Sequence, residues 1–276
     1  MSKIAVVIPT YNRKNILALT LVGLVNQTVH DFEIVICDDG STDGTHGMVM
    51  GFHYVHSAVH LKYYWHKHEE GVERQVSLAR NQGARLVAKE TTHILFLDGE
   101  VVLNPQAIEN YYELIAEKPG VVICGRYDWL PPMEIDLRDI RLRWDDFISA
   151  NLPRLTPEGP RAPVGKDFRG VVWDDGVEHE VFAGAALSGN LLIPIEAFYK
   201  TGGFDEDLKE RGQDCEHGYA LQFAGFKAIF TAKTIGYHVN HPAAGSEGRL
   251  SEIRAIRYIH AKYDIPLDEK DLPPVI

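Results

Sequence analysis

The chain has little cysteine and no long apolar run. Three cysteines, Cys37, Cys124 and Cys215, are scattered over 276 residues. An odd, widely spaced set of thiols predicts neither a disulfide framework nor a zinc motif, and a reducing cytoplasm is its simplest setting. No stretch approaches the roughly 20 apolar residues that cross a bilayer, and the first residues lack a signal-peptide layout. The sequence therefore predicts a soluble, cytoplasmic protein without a transmembrane segment, and it leaves peripheral membrane contact open.

Basic residues are also scarce relative to acidic ones. The chain has 28 Lys and Arg against 39 Asp and Glu, a formal net charge of -11. A diffuse acidic surface disfavours binding to nucleic acid. It also repels a diphosphate, so such a ligand would need a metal ion or a few well-placed basic residues. The glycine-rich signatures of dinucleotide and P-loop sites and the G-x-S-x-G nucleophile elbow are absent, so these chemistries lose support.

The sequence does contain short apolar runs that alternate with amphipathic segments. Runs such as 4–8 and 32–37 have the β-branched composition of buried parallel strands. The alternation predicts an α/β fold: a mainly parallel, doubly wound sheet with helices on both faces. Further strands are predicted at 61–65, 93–97, 121–124, 185–194, 227–230 and 234–238, and helices at 15–27, 72–89, 105–117, 214–224 and 250–263.

Residues 129–185 interrupt this alternation with a segment rich in Pro, Arg and Asp. Long irregular segments of this kind are usually functional. We therefore expect one continuous domain in three parts: a first half at 1–128, an insertion at 129–185, and a second half with a C-terminal helix at 186–276.

Acidic residues directly follow two of the predicted strands, where ligands bind on doubly wound sheets. Asp98 and Glu100 flank a glycine and could share a hard cation such as Mg²⁺ or Mn²⁺. Asp39 follows another strand and could accept a hydrogen bond from a base or a ribose. Ordinary acidic turns explain both segments equally well, so the residues alone leave the alternatives open.

Three further segments have both a structural and a functional interpretation. Arg80, on a predicted helix, could neutralise phosphate or simply be solvated. Asp214 and Glu216 in a first helical turn suit the helix dipole, but Asp214 could also be a general base. His238 or His241 could ligate a metal, although a lone histidine is more often structural.

Taken together, these residues resemble the large family of inverting glycosyltransferases with the GT-A fold, often called family two. The resemblance covers roughly residues 3 to 240 apart from the insertion, and its short motifs occur in the family's order. The matching segments are Val7-Ile8-Pro9-Thr10-Tyr11-Asn12-Arg13, Asp38-Asp39-Gly40-Ser41, Gly71-Val72, Ala79-Arg80-Asn81-x-Gly83, Asp98-Gly99-Glu100, Gly189-Asn190, Gly202-Gly203-Phe204-Asp205-Glu206 and Gly212-Gln213-Asp214-Cys215-Glu216.

The resemblance implies a role for each matching residue. In the first half, Pro9, Tyr11 and Asp39 would hold the base, usually uracil, and Arg80 would lie near the base or the diphosphate. Asp98 would bind ribose or a metal, and Glu100 the metal.

In the second half, the resemblance makes Asp214 the base that deprotonates the acceptor hydroxyl. His238 would complete the site of Mn²⁺ or Mg²⁺, and which of His238 and His241 does so stays open. Gly189, Asn190 and Glu216 would belong to the acceptor and donor loop.

The implied reaction is a single, inverting transfer from a nucleoside-diphosphate sugar, with UDP as the expected carrier, to an unidentified hydroxyl acceptor. Two positions depart from the family pattern: Glu100 replaces an aspartate, and Gln213 replaces a glutamate. Neither change removes a needed charge. The alternatives are a sugar-nucleotide pyrophosphorylase and an inactive nucleotide-sugar-binding module. The insertion is expected on the acceptor side, and a homodimer stays open.

Overall fold

The computed structural model describes residues 3–68, 75–130, 179–181, 187–209, 211–239 and 247–268. Most of the insertion expected at 129–185, the Gly71-Val72 motif and His241 lie outside these ranges, so the predictions made for them stay predictions. The division of the chain at 128 and 186 is likewise still a prediction.

Nine strands and seven helices are described. The strands are β1 Ile4–Thr10, β2 Phe32–Asp38, β3 His60–Trp65, β4 His93–Leu97, β5 Val101–Leu103, β6 Val122–Leu130, β7 His179–Val181, β8 Asn190–Pro194 and β9 Ala228–Val239. The helices are α1 Lys14–Val25, α2 Thr45–Val55, α3 Val76–Leu86, α4 Ala107–Glu117, α5 Ile195–Thr201, α6 Gln213–Phe223 and α7 Glu247–Lys262. Among the described residues, no helix is both long enough and apolar enough to cross a membrane.

All nine strands join one sheet, in the order β3-β2-β1-β4-β8-β6-β9-β5, with β7 paired to β9. The first four strands of this order are parallel, as the buried apolar runs predict. Beyond them the sheet is mixed, because β8 runs antiparallel to both β4 and β6. The two strands predicted at 227–230 and 234–238 are one strand, β9, whose pairing with β6 shifts register after Gly125.

The sheet is covered on both faces because successive side chains of a strand point to opposite sides. In β1, Val6 and Ile8 join a core with α1, α2 and α4, whereas Val7 faces a second core with α3, α5 and α6. Helix α3 lies so close to β1 that a Cβ on Gly83 would stand 2.4 Å from Val7 Cγ1. This glycine therefore fixes how near α3, which carries Arg80, approaches the sheet.

Candidate active site

The carboxyl ends of β1, β2 and β4 lie at one edge of the sheet. Thr10 pairs with Asp38, and Val7 pairs with Phe96. The loops that follow these strands border a cleft of about 740 Å³, part of which is open to solvent. Seven of the residues singled out in the sequence line this cleft, and they are Pro9, Tyr11, Asp39, Arg80, Asp98, Glu100 and Asp214.

Polar contacts tie together the loops after β1 and β2. Asn12 adopts a left-handed conformation with φ of 49°, which asparagine tolerates better than most residues. Its backbone N–H donates to Ser41 Oγ at 2.7 Å, and its side-chain oxygen accepts from Thr42 N at 2.8 Å. These bonds hold the segments of Tyr11 and Asp39 beside each other.

The two aspartates after β2 have different surroundings. Asp38 is fully buried and accepts from Ser41 N at 2.7 Å and from the Tyr63 hydroxyl at 2.5 Å, so it shapes the turn. Asp39 faces the cleft, and one of its carboxylate oxygens lies 2.7 Å from His66 Nε2. The structure therefore gives Asp39, rather than Asp38, the position from which to contact a ligand.

Two histidines, His66 and His68, contact Asp39. His68 Nδ1 lies 3.3 Å from Asp39 Oδ1, and its ring stacks on Tyr11 with the ring centroids 4.7 Å apart. Gln75 N donates to the other Asp39 oxygen at 2.9 Å. Tyr11 and Asp39 thus lie close together at one end of the cleft, and His68 contacts both of them.

Arg80 links two carboxylates that come from different parts of the chain. Its Nη2 donates to Asp98 Oδ1 at 2.7 Å and its Nη1 to Asp214 Oδ1 at 3.0 Å. The guanidinium is only 3% exposed and lies over the Phe204 ring, 5.2 Å from its centroid. Arg80, which the sequence predicts to neutralise phosphate, therefore also holds together Asp214, the candidate general base, and Asp98, a candidate metal ligand.

Negative charge is in excess at this point of the cleft. Burial raises the pKa of Asp98, the positive charge of Arg80 lowers it, and the neighbouring carboxylates Glu100 and Asp214 raise it, so that together they bring the pKa to about 6. One guanidinium therefore does not fully offset three carboxylates. A cation bound here would relieve that repulsion.

Glu100 and His238 lie next to each other at the far end of the same acidic cluster. His238 is in β9, opposite Val101 of β5, and its Nε2 lies 3.9 Å from Glu100 Oε1. Within the described ranges, no group of three or more His, Cys, Asp or Glu side chains is arranged to enclose a cation. The residues nevertheless fit Mg²⁺ or Mn²⁺, because such ions are commonly held by one or two carboxylates together with substrate phosphates.

The start of β8 reaches the same edge because this strand runs antiparallel to β4. Gly189 O accepts from Asp98 N at 3.1 Å, and the buried Ser188 hydroxyl donates to Asp214 Oδ1. Asn190 is buried and bonds the Tyr111 hydroxyl at 2.8 Å and Thr234 O at 2.9 Å. Gly189 thus lies beside the site, whereas the Asn190 side chain connects β8 to α4 and β9.

Glu216 was expected in the acceptor and donor loop, but its side chain is directed elsewhere. It is 2% exposed, and its Oε1 accepts from Lys262 Nζ at 2.7 Å and from the Tyr263 hydroxyl at 2.6 Å. Neither partner lines the cleft. The motif position was visible in the sequence, but its partner lies 46 residues away and could not be inferred.

Several residues near the site carried no sequence prediction. Arg13 and Gln213 line the cleft, His66 contacts Asp39 and Ser188 contacts Asp214. Arg13 and Gln213 lie inside the segments that match the family, so their position beside predicted site residues could have indicated that they line the cleft. Ser188 and His66 reach the site only through the folding of the sheet, and the sequence offers no signal for them.

Comparison with known proteins identifies the family. Residues 5–157, more than half of the chain, match the profile of Glycosyl transferase family 2. Chondroitin synthase of Escherichia coli is 28% identical over 265 residues, which cover 88% of this chain and 36% of that protein. Validoxylamine A glucosyltransferase of Streptomyces hygroscopicus is 31% identical over 250 residues, covering 86% and 56% respectively. The chain thus spans from about a third to just over half of the length of these relatives.

Solved structures share the fold at low sequence identity. S. aureus TarS 1-349 in complex with UDP-GlcNAc superposes with a TM-score of 0.66 at 16% identity, covering 98% of this chain and 69% of that one. The mannosyltransferase PcManGT of Pyrobaculum calidifontis, in complex with GDP-Man and Mn²⁺, gives 0.64 at 16% identity, covering 99% and 66%. The GT-A fold predicted from the sequence is confirmed. Given this fold and the profile match, the chain belongs to glycosyl transferase family 2.

Proposed function

We propose that this chain transfers a sugar from a nucleoside diphosphate to an acceptor hydroxyl, in one step that inverts the anomeric centre. One observation carries the proposal: Tyr11, Asp39, Arg80, Asp98 and Asp214 come from five separate segments and line a single cleft. Relatives named as glycosyltransferases and the fold neighbour bound to UDP-GlcNAc support it.

The cleft divides into a donor end and a reacting end. Tyr11 and Asp39, with Pro9 beside them, would hold the base, and UDP is the donor carrier that we propose. Arg80 would contact the diphosphate, because it is the cation placed between the acids of the cleft.

At the reacting end, Asp214 would accept the proton of the acceptor hydroxyl as that oxygen attacks the anomeric carbon from the side opposite the diphosphate. A carboxylate can do this only when it is ionised and its second oxygen is accessible. The Asp214 side chain is 24% exposed, and its Oδ1 accepts hydrogen bonds from Arg80 and Ser188. The diphosphate leaves as the bond to the sugar breaks, so no protein nucleophile is required.

A divalent cation, Mn²⁺ or Mg²⁺, would be held by Asp98 and Glu100, with His238 beside Glu100. It would supply positive charge opposite the charge that develops on the departing diphosphate. The raised pKa of Asp98 and the Mn²⁺ in the PcManGT complex support this assignment.

The direct test is the release of nucleoside diphosphate from UDP-, GDP- and dTDP-sugars, with water as the acceptor of the sugar, measured with Mn²⁺ and with EDTA. We expect release from a UDP-sugar that falls by about tenfold or more in EDTA and recovers when Mn²⁺ is added back. Glu100→Gln should weaken the Mn²⁺ response, whereas Glu117→Gln, at the exposed end of α4, serves as the matched control. Release that is unaffected by EDTA would contradict the metal assignment.

Other outcomes separate the alternatives. Formation of a nucleoside triphosphate from a sugar nucleotide and pyrophosphate would identify a pyrophosphorylase. A thermal shift with a sugar nucleotide but no release would identify a binding module. An NMR assignment of the product anomer tests inversion, and a product that retains the donor configuration would overturn the single-displacement mechanism.

A further inference from the structure

The C-terminal helix α7 packs directly on α6, the helix whose first turn carries Asp214. Leu208, Ala255 and Ile259 form a small buried cluster between the two helices. The Tyr263 ring, just after α7, stacks on Tyr219 and Phe223 of α6, with centroids 5.8 Å and 4.9 Å apart. The two helices are therefore in contact along most of α6.

Helix α7 also approaches the backbone closely at the start of α6. Gly212, the residue before α6, has φ of 81°, a conformation that favours glycine. A Cβ at this position would stand 2.4 Å from Ala255 Cβ. Asp214 follows two residues later, so α7 at Ala255 packs against the backbone that leads into the candidate general base.

A partly buried charge network joins the same two helices. Glu216 is 2% exposed, and its carboxylate accepts from Lys262 Nζ at 2.7 Å and from the Tyr263 hydroxyl at 2.6 Å. Lys262 Nζ also donates to Asp205 at 2.6 Å, and the Tyr258 hydroxyl donates to the same carboxylate at 2.7 Å. A buried carboxylate is costly unless it is paired, so Glu216 strongly favours the docked position of α7.

Glu216 also belongs to the first turn of α6, where its N–H donates to Gly212 O at 2.8 Å. Its side chain and Asp214 lie on different sides of that turn: Asp214 reaches Arg80, and Glu216 reaches Lys262. The turn is thus fixed from both sides, by Arg80 at the cleft and by Lys262 from α7.

We propose that Glu216 and Lys262 are positioning residues, which hold the first turn of α6 so that Asp214 faces the cleft. This inference rests on the proposed function, in which Asp214 is the general base. It assigns the second acid of the Gly212-Gln213-Asp214-Cys215-Glu216 segment to helix docking, and it makes α7 part of the catalytic arrangement and not merely a cover of the core.

The test compares Lys262→Met with Lys262→Arg, with Glu216→Gln and with the control Arg254→Met in the full chain. Arg254 is exposed on α7, and its Nε bonds Leu250 O within the same helix. For each variant, kcat and the donor KM for UDP release are measured under conditions in which all the variants are folded, together with amide hydrogen exchange. The double variant Glu216→Gln with Lys262→Met completes a cycle.

We expect Lys262→Met to lower kcat by about tenfold while the donor KM changes by less than about twofold. The reason is that Asp214, the proposed general base, moves, whereas the donor end of the cleft does not. Amides of residues 213–217 should exchange about tenfold faster, whereas those of β1 and β2 should not change. Lys262→Arg should recover most of kcat, Arg254→Met should match the unmodified protein, and the double variant should be little worse than either single variant.

A folded Lys262→Met protein with unchanged kcat and unchanged exchange at 213–217 would overturn the inference, as would a loss of kcat that simply follows the loss of folded protein. If Lys262→Met does not fold, Tyr263→Phe removes one bond to Glu216 and should give a smaller change of the same kind. If the unmodified protein releases no nucleoside diphosphate, the proposed function fails, and hydrogen exchange alone decides whether α7 fixes the turn.

Discussion

At the scale of single residues, the arrangement of the cleft depends on the contacts that Arg80 makes with its acidic residues. Arg80 is 3% exposed and bonds both Asp98 and Asp214, which remain about a quarter exposed. Ser188 adds a hydroxyl bond to the same Asp214 oxygen that Arg80 contacts. These two donors fix the direction of the carboxylate and leave its other oxygen for a proton, which is what a general base requires.

The Asp214→Asn substitution tests that role. Asparagine keeps the shape and an acceptor oxygen but cannot take up a proton, so we expect kcat to fall by about 10²- to 10⁴-fold. Donor binding should be retained, as measured by the thermal shift that a UDP-sugar produces with Mn²⁺. Asp207→Asn, an exposed acid of the neighbouring loop, is the control. Activity of Asp214→Asn close to that of the control would remove Asp214 from the mechanism.

At the scale of elements, close contact between α3 and the sheet places Arg80. Gly83 lies one turn after Arg80 and faces Val7 and Cys37 across a gap that has no room for a methyl group. The side chain of Asn81, on the same helix, accepts a hydrogen bond from Phe204 N and donates one to Phe204 O, both at 2.8 Å. The helix is therefore fixed on one side to β1 and β2 and on the other to the loop before α6.

Gly83→Ala should destabilise the protein by about 1–3 kcal/mol, because its Cβ would lie 2.4 Å from Val7 Cγ1 and 3.1 Å from Cys37 Sγ. Gly47→Ala in α2 is a matched control: nothing lies within 4 Å of its new Cβ. That control should be neutral or stabilising by up to about 1 kcal/mol, since alanine favours a helix. Equal urea midpoints for the two variants would contradict the close packing of α3.

At the scale of the whole molecule, acid should weaken the fold through a buried histidine. His217 of α6 is fully buried and stacks on Phe204, with ring centroids 4.2 Å apart. Burial lowers its pKa, the contact with Gly203 O raises it, and the positive charge of Arg80 lowers it, so that together they bring the pKa to about 4. The ring is therefore neutral in the folded protein at pH values where it is protonated in the unfolded chain.

Because the unfolded chain binds this proton first, stability is unaffected above about pH 6.5 and falls between about pH 6.5 and pH 4. The loss from this group alone is on the order of 3 kcal/mol, from 1.36 kcal/mol per pKa unit. Urea unfolding of His217→Gln and of the exposed control His60→Gln across this pH range measures it. The pH dependence should be shallower for His217→Gln only, and identical curves for both variants would contradict the assignment.

The sequence predicted the parallel half of the sheet and the acids at its edge for a physical reason. Buried parallel strands consist of continuous β-branched runs, and their carboxyl ends meet at one edge. Asp39 and Asp98 could therefore be placed together from the sequence alone. The chain direction of β8 could not be predicted in this way, because the apolar character of Asn190 to Pro194 is the same for a parallel and for an antiparallel strand.

What the sequence by itself determined is the local part: which segments form strands, and which polar residues follow them. The tertiary structure alone decided the partners. Arg80 and Asp214 are 134 residues apart, and Glu216 and Lys262 are 46 apart. Hydrophobic periodicity fixes the face of each element but not the rotation and distance between elements, which depend on side-chain packing across the whole core. For that reason the same motif supplied both Asp214, which lines the cleft, and Glu216, which is buried against α7.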